Sequence, residues 1–554
     1  VGPEGTPLTM KLPEGFAGRV RLMAVGASDD KAGSFSEDVT VTARIIRNRG
    51  IEGEAAIDRY LNGTLDDLYD PMLLKDMERA VSILCEAVDT GKKIRIVGDY
   101  DIDGVCSTYI LLQAFERLGS DVDFEIPDRI KDGYGINESI IEQAHADGVE
   151  VILTCDNGIS AFHQVELAKK YGMTVVITDH HEVPLDGEKE KIPPADAVID
   201  PKQADCPYPF PEICGAVVAY KLVQVLYARR GVPQMEWLDL LEFAAIATVG
   251  DVMKLQDENR ILVKYGLKKM AQTKNLGLRR LAEKNNLDLG AITAYHIGFV
   301  IGPCLNAGGR LKTAKEALAL LRAQSEEEAE RLAEELKELN DTRKDMTERG
   351  TEAAKLQVES WYQKDKVLVV FLPECHESLA GIIAGRLREY YQKPAIVLTR
   401  GEEAVKGSGR SIDEYHMFKK LTEVSDLLLK FGGHPLAAGL SLEEKNIDEF
   451  RRRLNENAGL TEEDFKAKVW IDVPMPVGYV TERLVRELSC LEPFGQGNEK
   501  PLFAEKSLRI RASRVLGRNR NVVKMTLEET DGHAIEALYF GDGTAFEEER
   551  AGRR

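Results

Sequence analysis

The sequence predicts an α/β protein in which a parallel sheet carries most of the chemistry, a long helix leads to a second, smaller α/β part, and a β-rich segment closes the chain. Three features point to it. Short β-branched runs alternate with amphipathic stretches through the first half, a charge-rich, proline-free stretch keeps helical spacing in the middle, and polar turns separate β-type segments at the end. At 554 residues, 43% hydrophobic and 30% charged, the chain suits three or four domains at roughly 100 to 200 residues each. That composition excludes a disordered or fibrous protein.

Taken in order, Val1 to Ser36 is Gly-rich, weakly patterned and starts without Met, so it reads as a tail or a foreign segment. Beyond about Asp38, Ile94 to Val97, Val151 to Leu153 and Thr174 to Ile177 read as strands, and Ser107 to Leu118 and Ala161 to Tyr171 as helices, the rhythm of βαβ units. Ser325 to Ser360 sets Ala329, Leu332, Leu336, Leu339 and Met346 at helical spacing among many charges, which fits a long connecting helix. Strands follow at Val367 to Phe371 and Ala395 to Leu398, with Gly-rich turns expected at Lys406 to Gly409 and at Gly432-Gly433. The last stretch offers β-type runs at Lys468 to Asp472, Ser507 to Val515, Asn521 to Glu528 and Ala534 to Phe540, then the charged Thr544 to Arg554. There is no internal repeat and no low-complexity tract.

Lys and Arg number 73 against 93 Asp and Glu, a net charge of −20, so any nucleic-acid contact must come from local basic clusters. One such cluster lies between Glu505 and Lys524, where Lys506, Arg509, Arg511, Arg514, Arg518, Arg520 and Lys524 face a single acid. No apolar run approaches the roughly 18 residues of a membrane span and no secretory signal opens the chain. The eight cysteines are scattered without a C-x-x-C pair, which argues against a zinc site or a disulfide framework. The expectation is a soluble, cytoplasmic protein.

Three predicted strands run straight into acids. Ile94 to Gly98 leads to Asp99, Asp101 and Asp103, Val151 to Cys155 to Asp156, and Val175 to Thr178 to Asp179-His180-His181. A fourth apolar stretch, Phe243 to Val249, ends in Gly250-Asp251. In an open parallel sheet the carboxyl ends of neighbouring strands converge on one crevice, so these groups can meet. A lone Asp after a strand is usually a helix cap and paired histidines are usually surface residues. Three acid motifs within about 85 residues, one closed by two histidines, exceed what capping requires. Converging carboxylates repel unless cations neutralise them, and mixed oxygen and imidazole ligands suit Mn²⁺ or Mg²⁺ better than zinc, so the cluster reads as a two-metal site.

The ordered motifs resemble the DHH phosphoesterase superfamily, in particular its RecJ family of bacterial single-strand-specific exonucleases, from about Asn48 to Gly541. They are Gly98-Asp99-Tyr100-Asp101-Ile102-Asp103-Gly104, Asp156-Asn157-Gly158-Ile159-Ser160, Asp179-His180-His181, Thr248-Val249-Gly250-Asp251-Val252, Leu305-Asn306-Ala307-Gly308-Gly309-Arg310-Leu311, His376-Glu377 with Gly381 to Arg386, Gly407-Ser408-Gly409-Arg410-Ser411, Gly432-Gly433-His434, and Glu492 to Asn498. Gly308 and Gly250 stand where alanine is usual in the family, without removing a functional group.

The resemblance implies a DHH catalytic domain at 38–324, a connecting helix at 325–360, a DHHA1-type substrate-binding domain at 361–464 and an OB-like domain at 465–554 short of its fifth strand, after an unmatched 1–37. It implies two Mn²⁺ or Mg²⁺ ions on Asp101, Asp103, Asp156, His180, His181 and Asp251, with Asp156 shared and with Asp99 and Asp179 either ligands or groups that hold the ligands. Arg129, Arg310, Ser408 and Arg410 match positions that hold a 5′ phosphate, and His434 on a Gly432-Gly433 loop would approach the scissile phosphate. The implied activity is 5′-to-3′ hydrolysis of single-stranded DNA in recombination and repair, with a single-strand-binding protein and a RecQ-type helicase as partners. A relative acting on cyclic dinucleotides, short oligonucleotides or pyrophosphate would lack the segment after Lys468. A non-enzymatic single-strand scaffold would have lost a ligand, and none is lost.

Overall fold

Ile94–Val97 is buried at every position, the pattern of a central strand in a sheet covered on both faces. In the computed structural model, which describes residues 8–11, 19–22, 41–506 and 508–552, it is β1 of a five-stranded parallel sheet. The others are β2 (Val122–Glu125), β3 (Val151–Cys155), β4 (Thr174–Thr178) and β5 (Ala197–Ile199), in the order β2-β1-β3-β4-β5. Arg95 of β1 is buried because its guanidinium bridges Asp123 at 2.7 and 2.8 Å and Asp147 at 2.8 Å. The chain order reverses between β1 and β3, which opens the crevice at their carboxyl ends.

Helices Ile102–Arg117, Gly215–Arg230 and Leu241–Gly250 are apolar nearly all round and pack on one another beside this sheet. The apolar stretch ahead of Asp251 is therefore helical. Helix Glu326–Gln357 starts where the Ser325 hydroxyl accepts from Glu328 N, with three glutamates in its first turn favouring the positive end of the helix. Ala329, Leu332 and Leu336 are buried near its start, and Ala354 near its end enters the core of the second α/β part.

That part has its own sheet of β6 (Leu368–Phe371), β7 (Ala395–Arg400), β8 (Val405–Arg410), β9 (Leu428–Gly433) and β10 (Ala437–Leu442), ordered β6-β7-β8-β10-β9. Only β6 and β7 are parallel. The Gly-rich turns expected at Lys406 to Gly409 and Gly432-Gly433 are strand instead. β8 is the middle strand, and its glycines serve close packing: a methyl group on Gly407 would stand 2.6 Å from Leu398 Cδ2. Gly433, at φ 145°, ends β9 where a methyl would meet the Ala437 carbonyl oxygen at 2.4 Å.

The described residues form two compact units. One combines Leu68–Lys254 with Glu258–Lys468; the other takes residues from Val1–Asp67, Leu255–Asp257 and Val469–Arg554. In the second unit Ile45, Ile46 and Tyr60 share a core with Val473 and Leu491, and Tyr60 donates to Asn498 Oδ1 at 2.9 Å. Residues 41–67, expected within the domain at 38–324, thus share a unit and a core with the C-terminal segment. Most of the expected tail 1–37 lies outside the described residues, which there comprise only Leu8–Lys11 paired with Arg19–Leu22.

The C-terminal sheet consists of β11 (Arg509–Leu516), β12 (Val522–Glu528) and β13 (Ala534–Phe540), all antiparallel. Lys468 to Asp472 is not a strand; the short strand Val473–Pro474 pairs with Phe503–Ala504 instead. Ser507 lies outside the described residues. The charged end forms helix Gly543–Gly552.

Candidate metal centre and anion cleft

The acids at the strand ends meet, and each is fixed by a specific backbone arrangement. Asp101 caps helix Ile102–Arg117, accepting from Asp103 N at 2.9 Å and Gly104 N at 3.1 Å. Asp103 turns the other way and accepts from Gly215 N and Ala216 N, both at 2.7 Å, at the start of helix Gly215–Arg230. Asp156 leaves β3 in the left-handed region, at φ 61°, a conformation costing about 1–3 kcal/mol and characteristic of functional sites. Asp251 is the C-cap of helix Leu241–Gly250.

At these strand ends three groups have ligand atoms mutually within 4.8 Å: Asp156 with His180 and His181, Asp103 with His180 and Asp251, and Asp99 with Asp101 and Asp156. His180 Nε2 faces Asp156 Oδ1 at 3.1 Å, Asp103 Oδ2 at 3.4 Å and Asp251 Oδ2 at 3.8 Å. Burial pushes the acidity of Asp99 and of Asp251 to about 8, helped by Asp101 beside the first and Asp103 beside the second. Burial and then Asp103 drive Asp156 well above the ordinary carboxylate range. Burial lowers the basicity of His180, which leaves its ring neutral and fit to donate a lone pair. Buried Asp99 Oδ2 and His180 Nδ1 have no hydrogen-bond partner among the described residues. Crowded carboxylates driven toward protonation, with a neutral imidazole among them, suit a pair of divalent cations.

Asp179 stands apart. Its Oδ1 accepts from His180 N at 2.8 Å, His181 N at 3.2 Å and His181 Nδ1 at 2.8 Å, and its Oδ2 from Ile159 N at 2.9 Å. Burial is the largest influence on it and opposes its charge, but His181, His180 and the Ile159 N–H together outweigh this and hold it below the usual range. Burial likewise opposes the charge of His181, and Asp179, Asp251 and Asp103 together raise it to about 9. Asp179 thus holds His181 by a hydrogen bond and lies outside all three groups. The sequence reading missed Asp200, buried just past β5 and pushed by burial and by Asp179 to about 7. Its signal was available: it is one more acid at a strand end.

Beside this centre, Arg129, Arg310, Ser408 and Arg410 line a cleft of about 540 Å³ together with Tyr100 and Gly381. Arg129 lies over the Tyr100 ring at 4.5 Å. Arg310 donates to the Ser378 carbonyl at 3.0 Å and Arg410 to the Gly409 carbonyl at 2.8 Å. Burial, then Arg129 and Arg343, lower Arg310 to about 10. None of these three arginines has a carboxylate partner among the described residues. A methyl on Gly381 would stand 2.9 Å from both Arg410 and Ser408 Oγ, so glycine keeps the cleft open. Arg343, on the long helix and absent from the sequence reading, adds a further cation beside Arg310. His434 lies on the exposed turn joining β9 and β10 and belongs to none of the clusters; Gly432 and Gly433 are strand residues, not a loop.

Family models match in three places: the DHH family N-terminal domain at residues 93–248, the DHHA1 domain at 364–459 and the RecJ OB domain at 471–554. The single-stranded-DNA-specific exonuclease RecJ of Escherichia coli is 34% identical over 540 residues, covering 93% of this chain and 92% of that protein. The chain belongs to the RecJ family. The RecJ of Bacillus subtilis is 36% identical over 535 residues, 95% of this chain, which spans 66% of that relative's length. RecJ of Thermus thermophilus, 29% identical, superposes with a TM-score of 0.74 in its Mn²⁺ complex, over 90% of this chain and 75% of that one, and of 0.69 in its Mg²⁺ complex, over 91% and 69%.

Proposed function

We infer that this chain is a metal-dependent exonuclease that hydrolyses single-stranded DNA from the 5′ end to 5′-mononucleotides, in recombination and repair. The observation that carries it is the juxtaposition, within one unit, of the carboxylate and histidine centre with a cleft of arginines that form no ion pair among the described residues. Asp101, Asp103, Asp156, His180, His181 and Asp251 would hold two Mn²⁺ or Mg²⁺ ions, with Asp99 beside them and Asp156 common to two of the groups. Bound there, the cations supply a hydroxide near neutral pH and neutralise the scissile phosphate. Asp179 keeps His181 turned toward the centre. Arg129, Arg310, Ser408 and Arg410 grip the 5′ phosphate, since guanidinium groups hold phosphate oxygens in pairs. His434 serves the scissile phosphate from the second sheet. No covalent protein nucleophile is required.

A relative acting on cyclic dinucleotides is the second reading, and the RecJ OB match over 471–554 speaks against it. In the C-terminal sheet Arg511, Arg520 and Lys524 pair with Glu528, Glu547 and Glu536, so Arg509, Arg514 and Arg518 are the cations we assign to the single-strand backbone. A single-strand-binding protein and a RecQ-type helicase as partners, and a cytoplasmic place of action, complete the proposal. The test is digestion of 5′-labelled and 3′-labelled single strands with Mn²⁺ or Mg²⁺. Immediate release of the 5′ label is expected, and cleavage confined to cyclic or dinucleotide substrates would overturn the reading.

A further inference from the structure

Two aromatic rings stand out in solvent next to the proposed centre. Tyr295 is 63% and Phe299 67% exposed, and the rings stack on each other with centroids 4.8 Å apart and planes 25° apart. They sit on a rigid base. Thr293 N and Oγ1 both lie 3.1 Å from His296 Nδ1, capping the short helix Ala294–His296, which continues through the π-helical turn Ile297–Ile301 into helix Gly302–Leu311. Ala294, Ile297 and Ile301 are buried beneath. π-Helical turns recur at functional sites, and exposed paired aromatics cost solvation unless something covers them.

Their surroundings say what does. Gly298, between the two rings in sequence, lies beside helix Leu241–Gly250, where a methyl on it would make ordinary contact, 3.7 Å, with Val249 Cγ1, two residues before Asp251. Gly298 and Gly250 line one small cavity of about 110 Å³ with Asn306, Arg310 and Arg343. The segment bearing the aromatic pair thus contributes Gly298 to a cavity that also holds Arg310, the arginine that bounds the 5′-phosphate cleft, and Gly250, next to Asp251. Val252, next to Asp251, adds a third apolar side chain, 64% exposed.

We propose that Tyr295 and Phe299 form a stacking platform for a base of the single strand, beside the path that runs from the arginine cleft past Asp251. Flat π-faces beside this cavity accept any base, whereas the arginines take only the backbone; together they select a flexible, unpaired strand whose bases can turn outward. This rests on the proposed single-strand hydrolysis and adds positioning residues to it.

The test is kcat/KM with Mn²⁺ on 5′-phosphorylated single strands carrying one abasic site, moved nucleotide by nucleotide from the 5′ end. Wild type should lose about tenfold when the abasic site reaches the stacked position. The Tyr295→Ala/Phe299→Ala variant should show that loss already on the intact strand, through KM, and none further at that position. Phe299→Tyr should behave like wild type and Phe299→Leu like the alanine variant, which separates stacking from simple apolar contact. A flat abasic scan in wild type, or an equal dip in wild type and variant, would overturn the platform. Failure of wild type to degrade any strand would instead overturn the function on which it rests.

Discussion

Gly215 lies against Asp156 so closely that a methyl group on it would stand 2.7 Å from the aspartate Cβ and 3.1 Å from Asp103 Oδ2. The two acids thus depend on a residue without a side chain, whose own N–H Asp103 accepts. Gly215→Ala should shift both acids, raising the Mn²⁺ concentration for half-maximal hydrolysis about tenfold or more, in line with the losses that follow disturbed ligand support. A metal titration of activity checks this, and an unchanged midpoint would count against the close packing.

Asp156→Ala removes the carboxylate common to two of the clusters while leaving the arginine cleft intact. Hydrolysis should fall by orders of magnitude with single-strand binding still measurable by filter retention. Turnover above about a tenth of wild type, a barrier change of only ~1.4 kcal/mol, would refute the shared role.

Arg310 and Arg410 should make wild type prefer 5′-phosphorylated over 5′-hydroxyl strands, each charge-assisted bond contributing ~1.5–3 kcal/mol. The double alanine variant should lose most of that preference, measured as a ratio of kcat/KM values. An undiminished ratio would place the phosphate elsewhere.

Glu242, buried away from the metal centre with Oε1 accepting from Thr273, has its acidity pushed by burial from 4.5 to about 7. The folded protein then holds a proton that the unfolded chain releases, so stability falls as pH rises from about 4.5 to about 7 and levels off above. At about 1.36 kcal/mol per pKa unit the loss is on the order of 3 kcal/mol. Urea denaturation of Glu242→Gln should show a flatter pH profile between pH 5 and 8, and a profile as steep as wild type would exclude Glu242 as its source.

The sheet β11-β12-β13 has one fully buried side chain, Val523, and leaves Leu538 and Phe540 largely in solvent. With so little apolar burial its amides should exchange faster than those of β1, β3 and β4. Equal protection in hydrogen-exchange mass spectrometry would contradict that ranking.

The sequence by itself determined the parallel sheet, the long helix and the crevice of acids. β1, β3 and β4 are short apolar runs each ending in a carboxylate, a pattern local enough to read residue by residue. What it left open was which carboxylate does what, because that depends on groups far away in the chain. Asp179 spends both oxygens on backbone N–H groups and His181 and joins none of the clusters of this centre, while Asp103 is anchored by the start of a helix more than a hundred residues later. Glycine was the other ambiguity: Gly407 and Gly409 look like a turn until the packing around the strand shows how crowded they are, a methyl standing 2.6 Å from Leu398 Cδ2 at the first and 3.1 Å from Met417 Cε at the second. Residues 41–67 look contiguous with the first sheet, yet Ile45, Ile46 and Tyr60 find their apolar partners at Val473 and Leu491. Only the tertiary structure decides such matters, since burial and hydrogen-bond satisfaction depend on the whole packing arrangement, whereas periodicity and capping depend on neighbours in sequence.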